Sequence, residues 1–290
     1  MSLLPCFALA MIASLAFACH GAEATKPNIV LFLADDLGWE DCSIYGGRLP
    51  TPNMDRVAKE GMTFTHAFVA SPSCAPSRAA LLTGLHSAHN GAMFNHTKPR
   101  AEIKKWPAYF QELGYEVAAI GKTAHYAQVK DYGFDHFSNF TYHDDTCIAA
   151  AVTWLEQHKS TKPLCLIVGT NWPHVPWPES ATSDHTLPPT LIDTIETRAA
   201  RAHYVTAVAH ADRDLGLIYD AARRKLGDNL LFLFSSDHGA QWPFGKWNCY
   251  DSGIRTPLVA VWPGKIAPGS RTGAMVSWID ILPTCLDAVR

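Results

Sequence analysis

At 290 residues with 48% hydrophobic and 18% charged side chains, the chain has enough apolar material for one large core, and a single α/β domain is the expectation from size. A formal charge of −3 excludes a general attraction to nucleic acid or acidic membranes; if the ligand is an anion, the positive charge that meets it must be local. No internal repeat or low-complexity linker interrupts the sequence.

The chain opens with an uncharged, mostly apolar run from Leu3 to Ala18, followed by Ala22-Glu23-Ala24 ahead of Thr25. This pattern predicts a secretory signal peptide over residues 1–24, and hence a secreted or periplasmic protein. The run is short for a span and no basic stop follows it, so no membrane span is expected after its removal. Cys6 and Cys19 lie within residues 1–24; the remaining Cys42, Cys74, Cys147, Cys165, Cys249 and Cys285 have no CxxC spacing, so neither a zinc site nor a dense disulfide framework is expected.

Residues 28–34 are almost continuously apolar and predict a central strand buried on both faces. It ends in Asp35-Asp36-Leu37-Gly38. Ligand sites in open α/β sheets lie off the carboxyl ends of strands, so paired carboxylates there suit a hard cation, although they would also suit a helix cap or turn. Residues 51–61 predict a capped packing helix with a glycine stop. In Ser73-Cys74-Ala75-Pro76-Ser77-Arg78-Ala79-Ala80-Leu81-Leu82-Thr83-Gly84, a polar lead-in and a short apolar run predict a loop feeding a helix that starts near Pro76 or Ser77. Cys74 would then sit just outside a helix N-terminus, where unpaired N–H groups favour an anion and lower a thiol pKa. Arg78, one turn in, adds a planar fork of donors suited to a tetrahedral oxyanion. These residue types fit a nucleophile beside an anion pocket; they also fit a buried cysteine in an ordinary loop.

Further on, residues 106–113 predict a helix and 115–121 a strand that delivers Lys122 and His125. Residues 144–158 predict a helix and 164–170 a strand leading into Asn171-Trp172-Pro173-His174-Val175-Pro176-Trp177, where two prolines hold the His174 imidazole in a rigid turn. A polar, proline-containing stretch, 180–189, suits a substrate-facing loop. Residues 191–226 carry a long helical pattern; its Asp212 and Asp214 suit a solvated face or a helix-to-strand contact and stay outside the site. Residues 230–234 predict another buried strand, ending in Ser235-Ser236-Asp237-His238-Gly239, a second pair of potential ligands at a second strand end. Neighbouring parallel strands would bring the two pairs together. A loop from Gly245 carries Lys246, and 258–262 predict a further strand.

Cys74-x-Pro76-Ser77-Arg78-x-x-x-Leu82-Thr83-Gly84 resembles the signature of the type I sulfatases of the alkaline-phosphatase-like superfamily, in which the cysteine is converted to Cα-formylglycine. Thr51-Pro52-Asn53-Met54-Asp55, Gly121-Lys122 with His125, Pro173-His174-Val175-Pro176, Ser236-Asp237-His238-Gly239, the loop of Lys246 and residues 277–284 resemble other segments of that family in the same order. The resemblance runs from about Pro27 to Ala288. It implies an alkaline-phosphatase-like α/β large domain, with a central, mostly parallel sheet flanked by helices, as the catalytic domain over residues 25–290. The family's small C-terminal subdomain is not represented, which reads as truncation at the C-terminal end.

The resemblance also implies the chemistry. Asp35, Asp36, the modified Cys74, Asp237 and His238 would hold one divalent ion, calcium first and magnesium as the alternative. The formylglycine hydrate would attack sulfur with one hydroxyl and expel sulfate by deprotonating the other. Arg78 would orient this diol, Lys122 and Lys246 would bind sulfate oxygens, His125 would assist proton removal, and His174 would protonate the leaving oxygen or nitrogen. Ser77 is expected to be a helix-start residue within the maturation signal. The partners implied are a sulfated carbohydrate and a formylglycine-generating maturation enzyme. Residues 77–91 resemble sulfamidases acting on N-sulfoglucosamine, whereas the His174 and His238 segments resemble iduronate-type O-sulfatases, so the linkage stays open. Alternatives are a phosphoesterase of the same superfamily and a catalytically silent glycan-binding homologue.

Overall fold

The structure, a computed structural model, describes residues 26–138, 146–180 and 186–290. The predicted signal peptide, the start of the helix expected at Asp144 and the centre of the 180–189 loop lie outside the described residues. In chain order the elements are β1 (Asn28–Ala34), α1 (Pro52–Glu60), β2 (Met62–Phe68), α2 (Cys74–Thr83), α3 (Ser87–Asn90), α4 (Trp106–Glu112), β3 (Glu116–Gly121), β4 (His136–Ser138), α5 (Thr146–Gln157), β5 (Leu164–Gly169), α6 (Ile195–Leu226), β6 (Leu230–Ser236), α7 (Asp251–Ile254), β7 (Leu258–Val261), β8 (Ser270–Ser277) and α8 (Ile281–Ala288).

The strands form one sheet in the order β4-β3-β5-β1-β6-β7-β2-β8. From β4 to β6 every pairing is parallel, β7 runs antiparallel to both its neighbours, and β2 and β8 are parallel. This is the α/β arrangement, with a central, mostly parallel sheet flanked by helices, that the family resemblance implies. The continuous apolar run of β1 has a direct cause: Val30 and Phe32 pack into a core shared with α1, α5 and α6, while Ile29, Leu31 and Leu33 pack into a second core with α2, α4 and α8. Three strands were not anticipated. β2 carries Thr63, Thr65 and His66, β8 is the sheet's last strand and largely exposed, and β4 has 3 residues, so none shows a buried strand's pattern.

Two contacts fix where the strand ends lie. Gly121 and Gly169 stand in register at the ends of β3 and β5. A methyl group on Gly121, whose φ is +79°, would lie 2.1 Å from the Gly169 carbonyl oxygen, and one on Gly169 would lie 2.0 Å from that of Lys122. Only glycine permits this approach, and it sends Lys122 out beside the exit of β5.

Asp212 and Asp214 are buried, which rules out a solvated face. Asp214 accepts a hydrogen bond from Thr170 Oγ1 (2.8 Å) just past β5, the helix-to-strand contact that was one of the two expectations. Asp212 instead accepts from the Asn53 and Met54 amides (3.1 and 2.8 Å), replacing Thr51 as the cap of α1. All six described cysteines are free. Among the described residues no helix is long and apolar enough to cross a membrane.

Candidate active site

β1 and β6 pair in register up to Ala34 and Ser236, so the residues that follow are neighbours. The Asp36 amide donates to Asp237 Oδ1 (3.1 Å) and the Leu37 amide to Ser236 Oγ (3.0 Å), which locks the two turns together. Asp36 adopts φ 63°, a strained conformation for a residue with a side chain. Asp35, Asp36, Asp237 and His238 are all fully buried. His238 Nδ1 lies 3.0 Å from the Gly239 carbonyl; a carbonyl can only accept, so Nδ1 carries the proton and Nε2 faces the carboxylates, 3.3 Å from Asp36 Oδ1 and 3.6 Å from Asp237 Oδ1. His174 repeats this device: its Nδ1 lies 2.6 Å from the Val175 carbonyl, and its Nε2 is 3.9 Å from Asp36 Oδ2.

The helix that presents Cys74 begins two to three residues earlier than predicted. Cys74 is its first residue, after an extended Ser73, and Pro76 falls in the first turn, where its missing N–H breaks no helical bond. Gly84 closes the helix at φ 66° as expected. The thiol lies 3.2 Å from His238 Nε2 and 3.6 Å from Asp35 Oδ1. Its pKa is not lowered, contrary to the expectation: burial first, and then Asp35, push it well above the usual range, outweighing Lys122. Ser77 is likewise not a helix-start residue; its hydroxyl donates to the Asp237 carbonyl (2.6 Å) and ties α2 to the end of β6.

Three buried cations face the three carboxylates. Arg78 Nε donates to Asp237 Oδ2 (2.9 Å), Nη2 lies 3.5 Å from Asp35 Oδ1, and the guanidinium also donates to the Lys122 and Ala34 carbonyls. Lys122 Nζ donates to Asp35, and Lys246 Nζ donates to both oxygens of Asp36 (2.9 and 2.8 Å). Burial alone would raise the Asp35 pKa, but Lys122, followed by His174, Arg78 and Lys246, holds it well below the carboxylate range. Asp237 moves the other way: burial and the nearby Asp35 charge raise it against the pull of His238 and Arg78. Burial opposes the charge on both lysines, yet Asp35 and Asp36 outweigh it and keep each ammonium protonated.

His125 stands in the wall rather than in this ring. Its Nε2 lies 2.7 Å from His96 Nδ1, its ring meets Tyr126 edge-on, and burial followed by Lys122 lowers its pKa to about 3. Sequence reasoning missed four residues of this wall: His96; Asn95, whose Oδ1 accepts from the Ala75 amide (3.3 Å); Tyr126, over Lys122; and Trp247, beside Lys246. None belongs to a spacing pattern, and only the adjacency of Tyr126 to His125 and of Trp247 to Lys246 could have flagged them.

The donor set fits a divalent ion. Asp35, Cys74, Asp237 and His238 each offer one ligand atom, all within 4.8 Å of one another, and Asp36, Cys74 and His174 form an overlapping group. Carboxylate oxygens suit calcium or magnesium, while the imidazole broadens the choice. A buried carboxylate–imidazole cluster around a cysteine, at the carboxyl ends of parallel strands in an alkaline-phosphatase-like sheet, defines the class of the molecule. Residues 27–290 match the Sulfatase family, and the chain belongs to that family.

It is similar to an ulvan-active sulfatase of Formosa agariphila, 32% identical over 92% of this chain and 55% of that protein, and to human N-sulphoglucosamine sulphohydrolase, 28% identical over 91% of this chain and 61% of that protein. The chain thus spans little more than half the length of these relatives. The crystal structure of Ps i-CgsB in complex with k-i-k-neocarrahexaose superposes with a TM-score of 0.75 at 25% identity, over 91% of this chain and 72% of that one.

Proposed function

We propose that this protein hydrolyses the sulfate ester or sulfamate of a sulfated carbohydrate, using Cys74 matured to formylglycine and one divalent ion, calcium with magnesium as the alternative. The observation that carries this reading is the buried ring of Asp35, Asp36, Asp237 and His238 around Cys74, with Arg78, Lys122 and Lys246 packed against it. When bound by these ligands, the ion supplies Lewis-acid stabilisation of the sulfuryl oxygens. The matured side chain supplies an oxygen nucleophile, which the protonated thiol of unmodified Cys74 does not.

The chain's own residues have distinct tasks in this reading. Arg78 is fixed by two carboxylates and two carbonyls and holds residue 74 in orientation. Lys122 and Lys246, kept charged, receive the sulfate oxygens. His174 exchanges a proton with the leaving oxygen or nitrogen through Nε2, the ring nitrogen that faces Asp36 while Nδ1 meets the Val175 carbonyl. His125, paired with His96 through Nε2, assists proton removal at residue 74 as a hydrogen-bonding group of the wall; burial and Lys122 keep its imidazole uncharged at neutral pH. A carbohydrate substrate is supported by the relatives, which are named for ulvan and for N-sulfoglucosamine. Residues 1–24 are proposed as an export signal and 25–290 as the catalytic domain, matured by a formylglycine-generating enzyme.

The test is mass spectrometry of the Cys74 peptide together with sulfate release from defined sulfated saccharides. Aldehyde on residue 74, and no release by Cys74→Ala that still binds metal, is the expected result. Free thiol with full activity overturns the mechanism.

A further inference from the structure

Among the described residues, the non-glycine positions with positive φ are Asp36, His96, Tyr126, Phe244 and Trp247, and all five belong to this site or its rim. Bulky residues avoid that region unless the surrounding structure compels it, and such outliers collect where a ligand is handled. Phe244 (φ 66°) and Trp247 (φ 68°) flank Gly245-Lys246, and neither ring is buried: Phe244 is 48% and Trp247 60% exposed. The backbone that holds them outward is tightly tied. Trp247 N donates to Pro72 O (2.7 Å), two residues before Cys74, Lys246 N donates to Ala240 O (2.9 Å), and Ser252 Oγ donates to Phe244 O (2.7 Å). The Trp247 ring centroid lies 5.4 Å from Lys246 Nζ, and the Tyr126 ring stands over Lys122 Nζ at 4.8 Å. Each lysine offered to the sulfate therefore carries an aromatic ring, and one of these rings is a large exposed indole beside Lys246.

We propose that Trp247 is a stacking platform for the pyranose ring that bears the sulfate, so that the sugar face lies on the indole while the sulfate enters between Lys122 and Lys246. This inference rests on the sulfated-carbohydrate reading above. Its chemistry is the contact of a sugar's C–H face with an aromatic face, next to a cationic floor that matches the anionic substituent. The left-handed backbone at Trp247 carries a conformational cost for a bulky residue, and the bond from its amide to Pro72 O holds it there.

The test compares Trp247→Ala, Trp247→Phe and Trp247→Gly in the full chain, with N-sulfoglucosamine, N-acetylgalactosamine 6-sulfate and a sulfated ulvan disaccharide as saccharide probes and butyl sulfate as a probe without a ring. Trp247→Ala is expected to raise KM for the preferred saccharide about tenfold more than for butyl sulfate, with Phe recovering most of the loss. Trp247→Gly is expected to bind saccharide as poorly as Ala with a Tm no lower than wild type, since glycine takes φ 68° without strain. Equal KM changes for both kinds of probe, or a lower Tm in the glycine variant, overturns the proposal. If the wild type releases sulfate from no probe, the sulfatase reading fails, and the platform is then judged by calorimetry. The same saccharides are titrated into Cys74→Ala and Cys74→Ala/Trp247→Ala: binding weakened about tenfold by the second substitution supports the platform, and equal affinity overturns it.

Discussion

Replacing Arg78 by Met keeps most of its volume and removes the guanidinium donors that face Asp237, Asp35 and the Lys122 and Ala34 carbonyls. Both carboxylates are fully buried, so losing their shared partner is expected to destabilise the chain by about 3–5 kcal/mol. At about 2–4 °C per kcal/mol for a domain of this size, Tm should fall by roughly 10 °C. Much of the cost is stranded charge, so neutralising Asp237 as well should recover part of it. In chelator, where no ion masks the carboxylates, the cycle of Arg78→Met, Asp237→Asn and the double variant should show a coupling of about 1.5–3 kcal/mol. The Arg78→Met penalty should also be smaller at the lower of two pH values chosen above 3.8, because the Asp237 carboxyl, raised from there by burial and Asp35, takes up a proton in the folded state that the unfolded chain does not. The measurement is urea unfolding at both pH values. Single variants whose effects add to within about 0.5 kcal/mol would refute the idea that Arg78 acts by matching these charges.

Asp237→Ala should lower metal content and sulfate release together; metal analysis of purified protein beside the activity assay checks this, and normal activity without metal would remove Asp237 from the ligand set. His125, lowered from its ordinary 6.5 to about 3, binds fewer protons folded than unfolded between those values, so it contributes stability above pH 6.5 that is lost as pH falls towards 3. His125→Gln should flatten that part of the stability profile by about one proton, and a profile parallel to wild type would contradict the burial of a neutral imidazole. Asp212→Ala should cost about 1–2 kcal/mol by uncapping α1 while leaving metal content unchanged; a loss of metal would tie α1 to the site instead.

The carboxyl-end clusters were legible because they follow buried strands. The apolar run before Asp35, the one before Asp237 and the glycine-ended strand before Lys122 each name a side chain and the sheet edge that presents it. Cys74, Arg78 and Lys246 were legible mainly through family resemblance, since a cysteine near a helix start has several ordinary explanations. The sign of the Cys74 shift was not legible. A helix N-terminus lowers a thiol's pKa locally, but only the fold buries the sulfur and sets Asp35, 39 residues away in sequence, 3.6 Å from it. Ser77 and Asp212 were misread for the same reason, because their partners, the Asp237 carbonyl and the start of α1, are distant in sequence. His96 and Trp247 depend on backbone conformation, which composition does not encode.

The crowding of Gly121 against Gly169 carries a lesson for interpreting natural variants. Every charged group of the pocket could be intact while a single added methyl at either position forced the two exits apart, since the added atom would meet a carbonyl oxygen at 2.1 or 2.0 Å. Inertness of that kind leaves no trace among the residues usually inspected, and a survey of homologous genes for lost function should score these two bare positions alongside the cysteine.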